Sequence, residues 1–428
     1  MQLYIQPDPA KWNEILARPA MDLRQLEGPV GDILQEVANR GDDALLDFTA
    51  KFDGVRLAEL AVSAEEIALA GEQISSELRE AIQTAKYNIE QFHRAQQDTT
   101  PTVETMPGVR CWRRSVGIER VGLYVPGGTA PLFSTVLMLS VPAVLAGCRE
   151  VVLCTPPQKD GSVHPAILYA ANLAGVKQIY RVGGAQAIGA MAYGTETIPS
   201  TYKIFGPGNA YVTVAKQLVS KLGVAIDMPA GPSEVMVVAD ESAEPAFVAA
   251  DLLSQAEHGA DSQVVLVCYT EEMAKQVMAA TNEQLEKLPR RDFAAASLAN
   301  SVVMVVDAQT DAMAVINAYG PEHLILAVDQ PEQWVDGIVN AGSVFMGHYT
   351  PESVGDYASG TNHTLPTNGF ARAYSGVSLD SFVRKITFQQ LSQEGLQNIG
   401  PTVEKMAAAE SLEAHKNAVS IRLASLKN

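Results

Sequence analysis

Residues 178–212, QIYRVGGAQAIGAMAYGTETIPSTYKIFGPGNAYV, decide the fold. A short β-rich run, Gln178 to Val182, ends in the glycine turn VGGAQAIG (Val182–Gly189) and gives way to a helical pattern. A second run, Lys203 to Phe205, ends in FGPGNAYV (Phe205–Val212) and leads into a helix over Asn209–Leu222. Strand, glycine turn, helix, strand is the signature of a parallel βαβ unit, whose strands are covered on both faces by crossover helices.

The pattern extends in both directions. Upstream, Val121–Val125 and Val151–Cys154, with a helix over His164–Ala174, complete one doubly wound unit. Downstream, Glu234–Val238, Val264–Cys268, Val302–Val306, Leu324–Val328 and Ser343–Met346 form a second series with helical segments between, so an α/β protein with two parallel sheets is expected. Asp32 to His93 reads as helical, Pro101 to Cys111 as an irregular connection, and Ser378 to Asn428 as a helical tail. His348 to Gly376, rich in Gly, Ser, Thr, Asn and Tyr, is too long for a plain connection and is a candidate binding loop.

At 428 residues the chain exceeds what one core fills. With 31 Lys and Arg against 49 Asp and Glu, its net charge of -18 argues against nucleic acid and anionic membrane surfaces as partners. Residues 121–148 carry no charge, but Pro126, Gly127, Gly128, Pro131 and Pro142 break the run, which reads as a buried strand, a turn and core helices rather than a membrane span. The start, with Pro7, Asp8 and Pro9, does not suit a signal peptide. Cys111, Cys148, Cys154 and Cys268 form no CxxC pair and read as buried thiols of a reducing compartment.

Five of the seven histidines fall in the later part of the chain. In DLLSQAEHG, residues 251–259, Gln255 and His258 sit three apart at a helix end, where they suit either a borderline divalent ion or the capping of carbonyls. YGPEHL, residues 319–324, sets Glu322 and His323 between a Gly-Pro turn and an apolar strand, an arrangement for tuned acid/base work or for a surface salt link. PESVGDYASGTNHTLP, residues 351–366, holds Glu352, Asp356, Asn362 and His363; Asp356 could complete a metal site, although such residues also make simple side-chain turns. Glu410, Glu413 and His415 lie on a tail helix whose default is a solvated face. No GxGxxG follows a strand, but YVPGG (Tyr124–Gly128), VGGAQAIG and FGPGNAYV each offer backbone N–H groups at a helix start, where a dinucleotide phosphate or mere chain reversal are both possible.

Together, LYVPGGTAPLFSTVLMLSVPA, IFGPGNAYVT, AIDMPAGPSEV, DLLSQAEHG, YGPEHLI, PESVGDYASGTNH and AHKNAVS make the chain, from about Val30 onward, resemble the histidinol dehydrogenase family. The resemblance implies two Rossmann-like, incomplete sheet domains (25–123 with 233–377, and 124–232), an N-terminal arm (1–24) and a C-terminal tail (378–428) swapped between the protomers of a homodimer. It implies one zinc per subunit on Gln255, His258, Asp356 and His415; Glu322 and His323 as bases; Ser233, His363 and Glu410 on the substrate L-histidinol; and Tyr124, Gln186 and Asn209 on NAD. It further implies a cytoplasmic enzyme using two NAD molecules per four-electron oxidation. A zinc hydrolase and an inert sensor of histidinol or histidine are the rival readings, from different functional classes.

Overall fold

The structure is a computed structural model that describes residues 1–19, 23–98, 100–127, 130–229 and 231–426; Gly128 of the first glycine turn therefore lies outside the described residues. In chain order the strands are β1 (Gln2–Ile5), β2 (Val103–Met106), β3 (Val109–Gly117), β4 (Arg120–Tyr124), β5 (Glu150–Thr155), β6 (Gln178–Arg181), β7 (Lys203–Phe205), β8 (Ala225–Ile226), β9 (Glu234–Ala239), β10 (Gln263–Cys268), β11 (Val302–Val305), β12 (His323–Ala327), β13 (Ser343–Met346) and β14 (Val383–Leu391). Every expected strand forms, with ends shifted by at most a residue or so. The helices expected over 164–174 and 209–222 run from Pro165–Leu173 and Ala210–Ser220.

The chain divides into two compact units. The larger, Met1–Ala95 with Ile118–Phe382, holds two parallel sheets, one of order β6-β5-β4-β7-β8 and one of order β1-β11-β10-β9-β12-β13. Near-continuous Val, Ile and Leu runs form these strands because each face packs on a separate core. In β9 and β10, Val235, Val237, Val264 and Leu266 face one core, while Met236, Val238, Val265 and Val267 face the other. The five-stranded sheet sorts its residues the same way, Leu123 and Leu153 against Tyr124 and Val152. The expected domain boundary between residues 123 and 124 falls inside β4, which pairs with β5 and β7. The arm contributes β1 to the edge of the six-stranded sheet, parallel to β11.

The smaller unit, from Gln96–Gly117 and from Val383 onward, corrects two expectations. The segment read as an irregular connection is instead a hairpin, β2 and β3, turning at Gly108 with φ +78°. The tail read as helical begins with β14, paired antiparallel to β3 from Val383↔Gly117 to Leu391↔Val109, before helices Gln393–Ala409 and Glu413–Ser425. β2 and β14 are largely exposed and β3 is mostly half-buried, so no run of buried apolar residues marked them. The same exposure corrects the cysteine reading. All four thiols are free, but only Cys154 and Cys268 are buried; Cys111 on β3 and Cys148 are half-buried.

Candidate active site

Both sheets change direction of strand order at one place, β4/β7 in the five-stranded sheet and β9/β12 in the six-stranded one. Ligands of open α/β sheets favour such points at the carboxyl ends of strands. At the first, Tyr124 ends β4 and Asn209 follows β7, while Gln186 follows β6 on helix Gly184–Tyr193. The Tyr124 hydroxyl accepts the Gly184 N–H at 3.1 Å, so two of the three glycine turns meet there. Burial pushes the Tyr124 phenol up to about 12. Asn209 caps its helix, accepting the Val212 N–H at 3.1 Å, and Gln186 is buried.

The titratable cluster lies at the second switch point but at the amino ends of its strands. Helix Gln309–Tyr319 stops at left-handed Gly320, and Pro321 then delivers Glu322 and His323 to the start of β12, beside Glu234 at the start of β9. Both side chains are buried, with His323 Nδ1 3.6 Å from Glu322 Oε2. The Glu234 peptide serves both. Its N–H donates to Glu322 Oε2 at 3.0 Å, and its carbonyl lies 3.3 Å from His323 Nδ1. His323 Nε2 has no hydrogen-bond partner although it is buried, and points toward Asp356 Oδ1 at 3.5 Å.

Helix Pro245–Ala256 runs back along the sheet and ends at this edge, bringing Gln255, with His258 in the turn beyond. Asp356 comes from a short helix, Glu352–Tyr357, where a loop had been expected. Donor atoms of His258, Glu352 and Asp356 all lie within 4.8 Å of one another, and Gln255 reaches this group through Glu352. His363 braces Asp356, its Nδ1 2.8 Å from the Asp356 carbonyl and its Nε2 3.1 Å from the Thr135 hydroxyl. Ser233, half-buried, directly precedes β9. Of the four expected metal ligands, His258 and Asp356 gather and Gln255 adjoins them at Glu352; His415 and Glu410 belong to the smaller unit, where both are exposed.

Electrostatics mark the cluster as one held under charge. Burial pushes Glu322 up to about 8 against the pull of His323, and burial likewise raises Glu352 to about 8. Burial opposes a charged His323, but Glu322, Glu352 and Asp356 outweigh it and raise the imidazole to about 10. Asp356 is also desolvated, yet its contact with His323 leaves it below the usual carboxylate range. Sequence reasoning gave no site role to Glu352 or Glu234. An acid opening a buried strand, the signal used for Glu322, would have found Glu234.

A buried acid-imidazole pair beside donor atoms that could hold a metal ion, on two parallel sheets with glycine turns at strand ends, is the arrangement of an α/β enzyme that does acid/base chemistry. The histidinol dehydrogenase family model matches residues 16–423. The chain is 60% identical over 427 residues to the histidinol dehydrogenase of Bacteroides thetaiotaomicron, covering 100% of both chains. It is 54% identical to that of Xanthomonas euvesicatoria, covering 98% of this chain and 97% of the other. The crystal structure of histidinol dehydrogenase from Elizabethkingia anophelis superposes with a TM-score of 0.98 at 55% identity, over 100% and 99% of the two chains. The chain belongs to the histidinol dehydrogenase family and is an oxidoreductase.

Proposed function

We propose that this chain oxidises L-histidinol to L-histidine through L-histidinaldehyde, with two NAD+ and one zinc per subunit, as the last step of histidine biosynthesis. The observation that carries the reading is that the donor atoms of His258, Glu352 and Asp356 gather within 4.8 Å of one another while Asp356 faces His323 Nε2 at 3.5 Å.

The donor set suits zinc. An imidazole and a carboxylate are its ordinary ligands, with an amide oxygen as a harder donor beside them, and a divalent cation would displace the proton that burial favours on Glu352. Gln255, His258 and Asp356 hold it in this reading, with His415 of the partner subunit. When bound, zinc supplies a Lewis-acid anchor for the imidazole and amine of the substrate, leaving the alcohol carbon free. A cation there would offset the carboxylate charge that raises His323, which would leave Nε2 to accept a proton.

His323, fixed through Nδ1 by the Glu234 carbonyl, takes the alcohol proton as hydride leaves the carbon for the first NAD+. Glu322 then takes a proton from the water that adds to the aldehyde, and a second hydride leaves for the second NAD+. One alcohol, one water and two NAD+ give one carboxylate, two NADH and three protons. Ser233, His363 and Glu410 of the partner subunit hold the substrate's polar groups, and Tyr124, Gln186 and Asn209 contact NAD+.

This reading includes a homodimer with exchanged tails, the two sheets as its two domains, and a cytoplasmic location. Met406, Leu412 and Ile421, apolar yet exposed on the tail, are what an exchanged tail would bury. Among the described residues no helix is long and apolar enough to cross a membrane. The test is to give zinc-loaded protein L-histidinol and NAD+ and follow NADH in the near ultraviolet. Two NADH per histidinol are expected, and His323→Asn should lose roughly 10²- to 10⁴-fold in turnover with zinc retained. No NADH, or an unaffected His323→Asn, overturns the reading.

A further inference from the structure

Glu234 stands behind the acid/base pair, and its side chain is itself held. It is 2% exposed, a charge that burial makes costly unless paired. Arg18, from the N-terminal segment, meets it with both prongs of its guanidinium, Nε to Oε2 at 2.5 Å and Nη2 to Oε1 at 2.7 Å. The same guanidinium stacks 3.8 Å over the ring of Tyr319 and donates to the Tyr319 carbonyl at 3.0 Å. The Tyr319 hydroxyl donates to Gln263 Oε1 at 2.9 Å and lies 3.4 Å from Glu234 Oε2. One arginine thus ties the start of β9 to the helix end that leads, three and four residues on, into Glu322 and His323.

We propose that Arg18 is a positioning residue for the reaction, fixing Glu234 so that its peptide aims Glu322 by the N–H and His323 by the carbonyl. A bidentate guanidinium-carboxylate pair sets orientation as well as distance, which a lysine cannot reproduce. Among the described residues the polar partners of Arg18 are Glu234, Tyr319 and Gly320, none of them in the metal-ligand group or the glycine turns, so its effect falls on the chemical step. The inference rests on Glu322 and His323 being the acid/base pair of the proposed reaction.

The experiment compares Arg18→Met, Arg18→Lys and the double variant Arg18→Met/Glu234→Gln, each zinc-loaded, beside Glu322→Gln and His323→Asn. Arg18→Met should lose about 10- to 100-fold in kcat with KM for L-histidinol and bound zinc within twofold, and Arg18→Lys should recover only part of that loss. Because the double variant removes the buried Glu234 charge along with its half-buried partner, its Tm should return toward the parent while kcat stays low. It also serves where Arg18→Met alone fails to fold. A kcat that recovers along with Tm in the double variant overturns the positioning role, as does a parental kcat in folded Arg18→Met. Parental turnover in Glu322→Gln and His323→Asn overturns instead the reading on which the inference rests.

Discussion

Gln255 satisfies its side-chain amide by turning its nitrogen onto the Glu352 carboxylate, 3.2 Å from Oε2, with its oxygen 3.3 Å from the Glu234 N–H. In that orientation the nitrogen faces the group and the oxygen faces away, and since only the amide oxygen can ligate a cation, ligation by Gln255 requires the amide to turn over. Glu352 is buried and shares its surroundings with His258 and Asp356, so it holds the Gln255 amide at the edge of the group and adds negative charge to it. Glu352→Ala should weaken zinc binding about 10- to 100-fold, measured by competition with a chromophoric chelator. Unchanged affinity would place Glu352 outside the metal's surroundings.

The third glycine turn makes a separate prediction about the nucleotide. Gly206 has φ +126°, a conformation closed to other residues, and a Cβ there would overlap the Tyr124 carbonyl oxygen. The turn is pinned from below as well. Buried Lys216, ion-paired to Asp227, donates to the Gly206 carbonyl at 2.9 Å, and Asp227 Oδ2 accepts the Gly206 N–H at 2.8 Å. Gly206→Ala should cost roughly 2–4 kcal/mol in urea unfolding and raise KM for NAD+ while sparing zinc affinity. A parental KM for NAD+ would count against NAD+ at this turn.

These two residues show why parts of the molecule were legible in sequence and others not. The strands and glycine turns announced themselves because buried parallel strands are nearly all apolar, and a positive φ selects glycine. Glu322 and His323 stood out as charged groups opening such a strand. Glu352 did not, because its short helix has too few residues to show a period and sits among Gly, Ser and Thr. β2, β3 and β14 were missed because exposed or half-buried strands carry no buried run. β1 was missed because its pairing partner β11 lies some three hundred residues away in the chain. No local pattern reports the Arg18–Glu234 pair for the same reason.

Asp251, one turn before Gln255, gives a pH prediction. Burial, with no compensating partner, pushes its carboxyl from 3.8 up to about 7. The folded state therefore holds this proton where the unfolded chain has released it. The stability it contributes is complete below the unfolded value near 3.8, falls as pH rises through the window to about 7, and is level above that. Asp251→Asn removes the titration. Relative to the parent, the variant should gain stability between pH 4 and pH 7, by about 2–4 kcal/mol in all, and no more from pH 7 to 9. Unfolding curves for both proteins at several pH values check this; a constant difference across the range would refute it.

If His415 serves the site of the partner subunit, two inactive variants should complement each other. A protomer with His258→Asn keeps an intact tail, and one with His415→Asn keeps an intact body. In a dimer of the two, one site collects both lesions and the other collects none. With random pairing of equal amounts, half the dimers are mixed and half of their sites are whole, so about a quarter of parental activity should return. Isolating the mixed dimer with two different affinity tags should raise this to about half. Each variant alone should stay near background. Mixed dimers as inactive as their parents would mean that His415 acts within its own chain or not at all.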